Sequence, residues 1–370
     1  MGAGKVAIVV SPQSWGKMFI SKHHYAIELA KLGYSVYFIN PPKEKKIGGL
    51  PKVRINDTEY KNLKFIEHTL FFSSYFKFHL PFLHHLLIVI QRWFILRKIG
   101  IPHLVISFDL TNNFPLTSLN CKKIFFAADE PRAKQNFVSA RNADMIVSVS
   151  QHILDLYKPY YPQTKLFLIN HGLSEEFLNI PTNLPKKYDG INIGLSGNFL
   201  FNDIDYPTLT QIIEYHNDIK FHFYGNHSAE SNIGAETGCR NIQYLTQIKS
   251  NPNCVFHGVL GKRDLALELN QMDGFLICYD PQNGQSSGSN SHKILEFLST
   301  GKVIISSNFS FYSGANLFEM CNSKTNEMLS EIFKKAIEGL SVHNQNENQK
   351  KRKDFVLEST YQKHALKLFL

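Results

Sequence analysis

The sequence predicts an α/β protein made of two doubly wound domains, and three observations carry that expectation. Short apolar runs without alternation recur along the chain, as expected of parallel strands buried on both faces. They are separated by helix-length amphipathic segments, and the series occurs twice, on either side of an aperiodic, proline-containing stretch at 179–190, NIPTNLPKKYDG. The length of 370 residues exceeds what one core of ordinary size absorbs.

In the first half, residues 6–10 (VAIVV) read as a buried strand, followed by a loop with Pro12 and Gly16. A helix over about 20–32 stops at Gly33, a helix-end glycine, and the next strand spans 34–39 before Pro41 and Pro42. Such a strand–helix–strand unit requires a right-handed parallel crossover. Further strands are expected at 103–108, 123–127, 145–148 and 166–169. After the linker come strands at 191–195, 220–224, 255–256, 274–278 and 303–306, with helices near 207–217, 262–271 and 291–300. Residues 341–353 (SVHNQNENQKKRK) are polar throughout and read as a surface loop, and a last amphipathic helix spans 354–369. The expected domains are 1–180 and 190–350, with 354–370 as a closing helix.

A formal net charge of +9 favours anionic partners: phosphorylated substrates, an anionic membrane surface or nucleic acid. No Lys/Arg block dominates and no nucleic-acid motif occurs, so no nucleic-acid partner is expected. The five cysteines, Cys121, Cys239, Cys254, Cys278 and Cys321, form no C-x-x-C pair, which fits buried thiols in a reducing compartment and no zinc site. The chain opens into a strand without a signal-peptide pattern and has no run of 18 apolar residues. A cytoplasmic protein is expected, peripheral at the inner membrane face if residues 70–99 touch lipid. That stretch, LFFSSYFKFHLPFLHHLLIVIQRWFILRKI, interleaves aromatic and basic residues. It reads either as an interfacial membrane helix or as a long buried helix with surface-facing His and Lys.

The richest stretch chemically is 284–307, GQSSGSNSHKILEFLSTGKVIISS. A Gly/Ser-rich loop brings backbone N–H groups to an anion, and the helix behind it aims its unpaired N–H groups and positive dipole end at the same place. Ile294, Phe297 and Leu298 form the buried stripe, while Ser289, Lys293 and Glu296 share another face. Donors and a cation for a diphosphate, with a carboxylate one turn deeper for a ribose diol, suit a nucleotide-sugar; an ordinary capped helix gives the same pattern. Gly197 and Asn198, after the strand 191–195, offer backbone N–H groups from another side, or simply a turn that needs glycine. Asp203-Ile204-Asp205 spells D-x-D, but Asp205 before Tyr206-Pro207 reads as a helix N-cap, and no metal is expected. Asp129 and Glu130 end the strand in KKIFFAADEP, where ligands of parallel sheets gather, so Asp129 is a candidate base for an acceptor hydroxyl. His23 and His24 begin the first helix, as surface residues or as a base, and His171 precedes a glycine turn with the same ambiguity. Gly2-Ala3-Gly4 precedes the first strand instead of following it, which argues against a dinucleotide-binding enzyme.

Several blocks resemble glycosyltransferases of the GT-B fold, most closely those of teichuronic-acid-type and related cell-surface polysaccharides. The strongest is NSHKILEFLSTGKVIIS, similar to N-P-L-K-[LI]-x-E-[YF]-L-A-x-G-K-P-V-[IV]; HHYAIELAKLGYSVYFINPP, SARNADMIVSVSQHI, GINIGLSGNF and NCVFHGVL support it. The resemblance implies two Rossmann-like domains facing across a cleft, acceptor on the first and nucleotide-sugar on the second, with the terminal helix returning to the first. It implies a UDP- or GDP-linked donor held by Gly197, Asn198, Ser289, Asn290, Ser291, His292, Lys293 and Glu296, with Glu296 on the ribose. A glycan or lipid-linked glycan acceptor, Asp129 or else His24 as base, and no cofactor complete the expectation. Four positions depart from the pattern: Gly288 stands where many retaining members carry the first glutamate of E-x7-E, no Arg or Lys follows Gly197 in GNFLFNDIDYP, Asp129 replaces a frequent histidine, and His292 stands where the family often has Pro-Leu. Sugar-nucleotide epimerisation, or nucleotide or glycan binding without catalysis, are the alternatives.

Overall fold

The computed structural model describes the chain except residues 1–3, 17–18, 44–49, 74, 182–183, 201, 228–238, 281–290, 324 and 370. It divides into two compact units: Met1–Asn170 with Tyr361–Leu370, and His171–Thr360.

Unit 1 contains, in chain order, β1 (Val6–Val10), α1 (Ser21–Lys31), β2 (Ser35–Ile39), β3 (Val53–Asp57), β4 (Leu63–His68), α2 (Tyr75–His79), α3 (Pro81–Ile99), β5 (Leu104–Ser107), β6 (Lys122–Phe126), α4 (Lys134–Phe137), β7 (Met145–Ser148), α5 (Gln151–Tyr157) and β8 (Lys165–Leu168). The strands form one sheet in the order β3-β4-β2-β1-β5-β6-β7-β8. Every pairing is parallel except β3 with β4. The β3–β4 hairpin was not expected; it alternates only weakly, and Asn62 at φ 65° lies just before β4. Because β1 lies between β2 and β5, the chain reverses direction across the sheet there. The crevice at the carboxyl ends of β1 and β5 is where such sheets bind ligands. Central residues such as Ile8, Val9, Ile106 and Ile124 are fully buried, matching their unalternating sequence.

Unit 2 begins with α6 (Glu175–Leu178) and continues through β9 (Ile191–Ser196), α7 (Tyr206–Tyr215), β10 (Ile219–Tyr224), α8 (Cys239–Ser250), β11 (Cys254–Gly258), α9 (Lys262–Leu269), β12 (Gly274–Ile277), α10 (His292–Thr300), β13 (Val303–Ser306), β14 (Glu319–Met320), α11 (Leu329–Glu338), α12 (Leu340–His343) and α13 (Asn346–Leu357). Its sheet, β11-β10-β9-β12-β13-β14, is parallel throughout. Here the reversal falls between β9 and β12. The division of the chain lies at Asn170 and not within 179–190, because the Leu173 N–H donates to the Ser359 carbonyl at 2.8 Å and Phe177 packs into the second core.

α14 (Tyr361–Phe369) returns to unit 1, where Tyr361, Ala365, Leu368 and Phe369 join the core around α1. Two expectations need correction. Residues 341–353 are mostly helical, not a loop, and Arg352 within them is buried. Its Nε donates to the Leu317 carbonyl at 2.8 Å and its Nη1 to those of Gly301 and His343 at 2.9 and 2.8 Å, so buried hydrogen bonds order a segment that has no apolar stripe. The final helix is also not continuous from 354: α13 ends at Leu357 and α14 starts at Tyr361, with Thr360 bridged to Leu173 between them.

Candidate functional site

In unit 2, Gly197 follows β9 and Tyr279 follows β12, so both stand at the carboxyl ends of the two strands where the sheet reverses. α10 points its N-terminus to the same place. Ser291 is its N-cap in extended conformation, with no side-chain capping bond, and Gly301 ends it in the left-handed conformation at φ 79°. The stripe read from sequence is present: Ile294, Phe297 and Leu298 are fully buried. The N-terminus of a helix is where unpaired N–H groups and the positive dipole end favour an anion.

Lys293 is the centre of the site. Its Nζ donates to the Tyr279 hydroxyl at 2.5 Å and lies 5.2 Å from that ring's centroid. It also occupies the space where a Cβ on Gly197 would stand. Gly197 has φ 153°, a backbone conformation that favours glycine. Burial works against the charge on Lys293, but Tyr279, Asp203 and Glu296 outweigh it and hold the pKa above the ordinary lysine value. The Gly197 N–H is engaged with the Tyr224 carbonyl at 2.9 Å, so this glycine offers room rather than a donor. The Asn198 Oδ1 accepts from the Leu200 N–H at 3.1 Å, shaping the turn. Leu195, Asn198, Tyr279 and Lys293 help line a small pocket of about 30 Å³.

Glu296, one turn along α10 from Lys293, is buried; that burial raises its pKa to about 7 against the pull of Lys262 and Lys293. Its Oε1 lies 4.0 Å from the Nε2 of His292, which is exposed and packs edge-on to His171 at 6.0 Å. The structure thus brings His171, Lys293 and Glu296 to one end of α10 with Ser291 and His292. Ser289 and Asn290, like Gly288, lie outside the described residues. Lys262, at the start of α9, was not singled out in the sequence; burial lowers its pKa while Glu296 and Glu176 oppose that. Its only sequence signal was its place after Gly261.

The D-x-D pair separates as its spacing suggested. The Asp205 Oδ1 accepts from the Thr208 N–H at 3.1 Å as the N-cap of α7, with Pro207 in the first turn. The Asp203 Oδ1 is buried and has no hydrogen-bond partner among the described residues; burial raises the Asp203 pKa and Lys293 counters it. Among the described residues no group of three His, Cys, Asp or Glu is arranged to hold a metal.

In unit 1, Asp129 is exposed beyond the carboxyl end of β6. Lys22, at the start of α1, is its electrostatic neighbour. This lysine is buried, which lowers its pKa to about 8 while Asp129 and Asp109 resist. Asp109 is buried too and accepts from the N–H groups of Thr111 and Asn113, both at 2.8 Å. Neither Lys22 nor Asp109 was read as a site residue, because a buried and a solvated charge look alike in sequence. His23 and His24 are not surface residues. His23 accepts at Nδ1 from the Ile20 N–H at 3.3 Å and is sandwiched between Phe19 and Phe38, while His24 stacks on Tyr361 at 4.7 Å. α14 covers one side of α1, and that packing takes them inside.

No protein-family model matches the sequence, and no curated protein is detectably related to it. Solved structures do share its fold. Sucrose-phosphate synthase from Thermosynechococcus elongatus superposes with a TM-score of 0.70 at 14% identity, over 98% of this chain and 97% of that one. A trehalose-6-phosphate structure from E. coli bound with UDP-2-fluoro glucose gives 0.70 at 9% identity, over 99% and 98%. The lipopolysaccharide outer core galactosyltransferase WaaB in its apo form gives 0.61 at 13% identity, over 99% and 100%. Two parallel-rich Rossmann-like sheets that match such structures along almost their whole length define the GT-B fold, and this chain has it.

Proposed function

We propose that this protein is a glycosyltransferase of surface polysaccharide synthesis. It moves a sugar from a UDP- or GDP-linked donor to a hydroxyl of a glycan or lipid-linked glycan, without a metal. The observation that carries the reading is Lys293 set over Gly197 at the tip of α10, one turn from the buried Glu296. Lys293 and the first-turn N–H groups take the diphosphate, and Glu296 accepts from the ribose hydroxyls. The E. coli structure of the same fold was solved with a UDP-sugar analogue, which supports that class of donor.

In this reading unit 2 holds the donor. The bond between the anomeric carbon and the diphosphate oxygen breaks, and its electron pair stays on the diphosphate, where Lys293 and the helix N–H groups stabilise the growing charge. The acceptor oxygen bonds to the anomeric carbon and its proton passes to Asp129, which is exposed beside Lys22. His24, buried against Tyr361, is the poorer candidate.

We place the protein in the cytoplasm, touching the inner membrane face through residues 70–99. No helix among the described residues is long and apolar enough to cross a membrane. α3 nevertheless exposes Phe82, Leu86, Ile90 and Trp93 at spacings of four, four and three, one stripe along the helix. No carboxylate occurs between Glu67 and Asp109, so nothing near that stripe in sequence repels an anionic surface.

The test is a metal-free thermal-shift screen of wild type and Glu296→Ala against nucleoside diphosphates and their sugars, followed by an assay of diphosphate release on adding acceptor. A shift with one base, lost in Glu296→Ala, with release that depends on acceptor, supports the reading. No shift with any of them removes it.

A further inference from the structure

Beside α3, unit 1 holds a cavity of about 620 Å³, within the size range of small-molecule sites. Phe82 and Ile88 of α3, with Leu110, Leu116 and Val138 from the segments after β5 and β6, give it an apolar wall. Its ionisable lining is of one sign: Lys77, His84, His85 and Arg141, and no carboxylate. Among the described residues none of these four makes an ion pair. Burial, followed by Lys77 and His85, holds the His84 pKa below its ordinary value, so the fixed positive charge of the lining comes from Lys77 and Arg141.

The walls are fixed by hydrogen bonds. Arg92, buried in α3, donates from Nη1 to the carbonyls of Pro115 and Thr117, which pins residues 115–117 to the helix. The Asn136 Nδ2 donates to the Leu110 carbonyl at 3.1 Å while its Oδ1 accepts from the Ala133 N–H at 2.9 Å. The space is therefore built into the unit.

Two features constrain an occupant. A wholly polar ligand would leave the apolar wall in contact with water, and a neutral apolar one would leave the cation cluster uncompensated. We infer that this cavity binds a single-chain alkyl or polyprenyl phosphate, with the chain along Phe82, Leu110 and Val138 and the phosphate among Lys77, His84, His85 and Arg141. This builds on the proposed function by naming a lipid phosphate as the acceptor's carrier, although the observations lie within unit 1 alone.

The test titrates the full-length protein with farnesyl monophosphate, below the concentration at which it forms micelles, by calorimetry. Farnesol and inorganic phosphate serve as controls. Ala133→Trp fills the cavity from an exposed position, and Arg141→Ala removes one cation. Saturable one-to-one binding is expected, weakened at least about tenfold by each variant and at least about tenfold for farnesol. Both variants should keep the wild-type melting temperature. Absence of saturable binding, equal binding by Ala133→Trp, or farnesol binding as tightly as its phosphate overturns the proposal. So does a wild type that ignores farnesyl phosphate but sediments with phosphatidylglycerol vesicles, because the phosphate source is then a bilayer. A nucleoside-diphosphate thermal shift in the same preparation separates failure of this site from failure of the donor site.

Discussion

The ammonium of Lys293 fills the space that a side chain on Gly197 would take. Lysine and glycine are 96 residues apart in sequence, and each sets the other's role: the glycine leaves room, and Tyr279 holds the lysine in it.

Gly197→Ala should therefore act twice. The methyl group must displace Lys293, and the backbone at φ 153° is strained for any residue with a Cβ. A stability loss of about 1–3 kcal/mol is expected, with nucleoside-diphosphate affinity down about ten- to a hundredfold. In a Lys293→Ala background the same substitution should cause little further loss of affinity, since the two changes remove one interaction. Additive losses in a double-mutant cycle would sink this account.

Glu296 sets a pH dependence with a definite sign. The unfolded chain releases its proton near the ordinary value of 4.5, the native state near 7. Between those values the native state holds a proton that the unfolded state has lost, so stability falls as pH rises through that window, by at most about 3 kcal/mol. On the proposed function, donor binding runs the other way, because a ribose held by Glu296 needs the carboxylate as acceptor. Affinity for a nucleotide-sugar, whose diphosphate charge is constant there, should drop about tenfold per pH unit below 7. Glu296→Gln should flatten both profiles; calorimetry on either side of pH 7 that shows a flat wild-type affinity would refute this.

Arg352 caps α10 from behind by donating to three carbonyls, one of them that of Gly301 at the helix end. Arg352→Ala should cost about 2–5 kcal/mol, the range for orphaning buried polar groups around a lost charge. Arg352→Lys should recover only part, because one ammonium cannot reproduce the fork. Urea denaturation of the two variants measures this, and equal stability of Arg352→Lys and wild type would contradict it.

Trp93 is 49% exposed on the apolar stripe of α3, and Arg97 stacks on its ring at 4.7 Å. With phosphatidylglycerol vesicles its emission should shift to the blue. Phe82→Ser with Leu86→Ser should weaken co-sedimentation at least about tenfold, since two apolar side chains lose their buried place. Added salt should weaken it further. Vesicle binding unchanged in the double variant would leave α3 without that role.

Much of the fold was legible because buried parallel strands must be apolar on both faces. Val6–Val10, Met145–Ser148 and Val303–Ser306 lie where the runs stood, and Gly33 and Gly301 end their helices. What stayed hidden depends on partners far along the chain. Lys22, Asp109 and Arg352 read as solvated charges, and only tertiary hydrogen bonds and neighbours take them inside. The helical order of 341–353 was missed for the same reason: its anchor is a buried arginine, where periodicity looks for an apolar stripe. The β3–β4 hairpin has too little alternation to announce itself. At the site, the types and spacing of Lys293 and Glu296 were readable, whereas the role of Gly197 as space beneath Lys293 was visible only in three dimensions.

The return of α14 makes unit 2 an insertion between β8 and the last helix of unit 1. Its two ends are tied together, Leu173 to Ser359 and Thr360, so the excised module 171–360 begins and ends at one seam. The seam marks where unit 2 can be exchanged between proteins of this architecture without breaking an element of the flanking unit. It also means that trimming the last ten residues damages the beginning of the protein, not the module next to them in sequence.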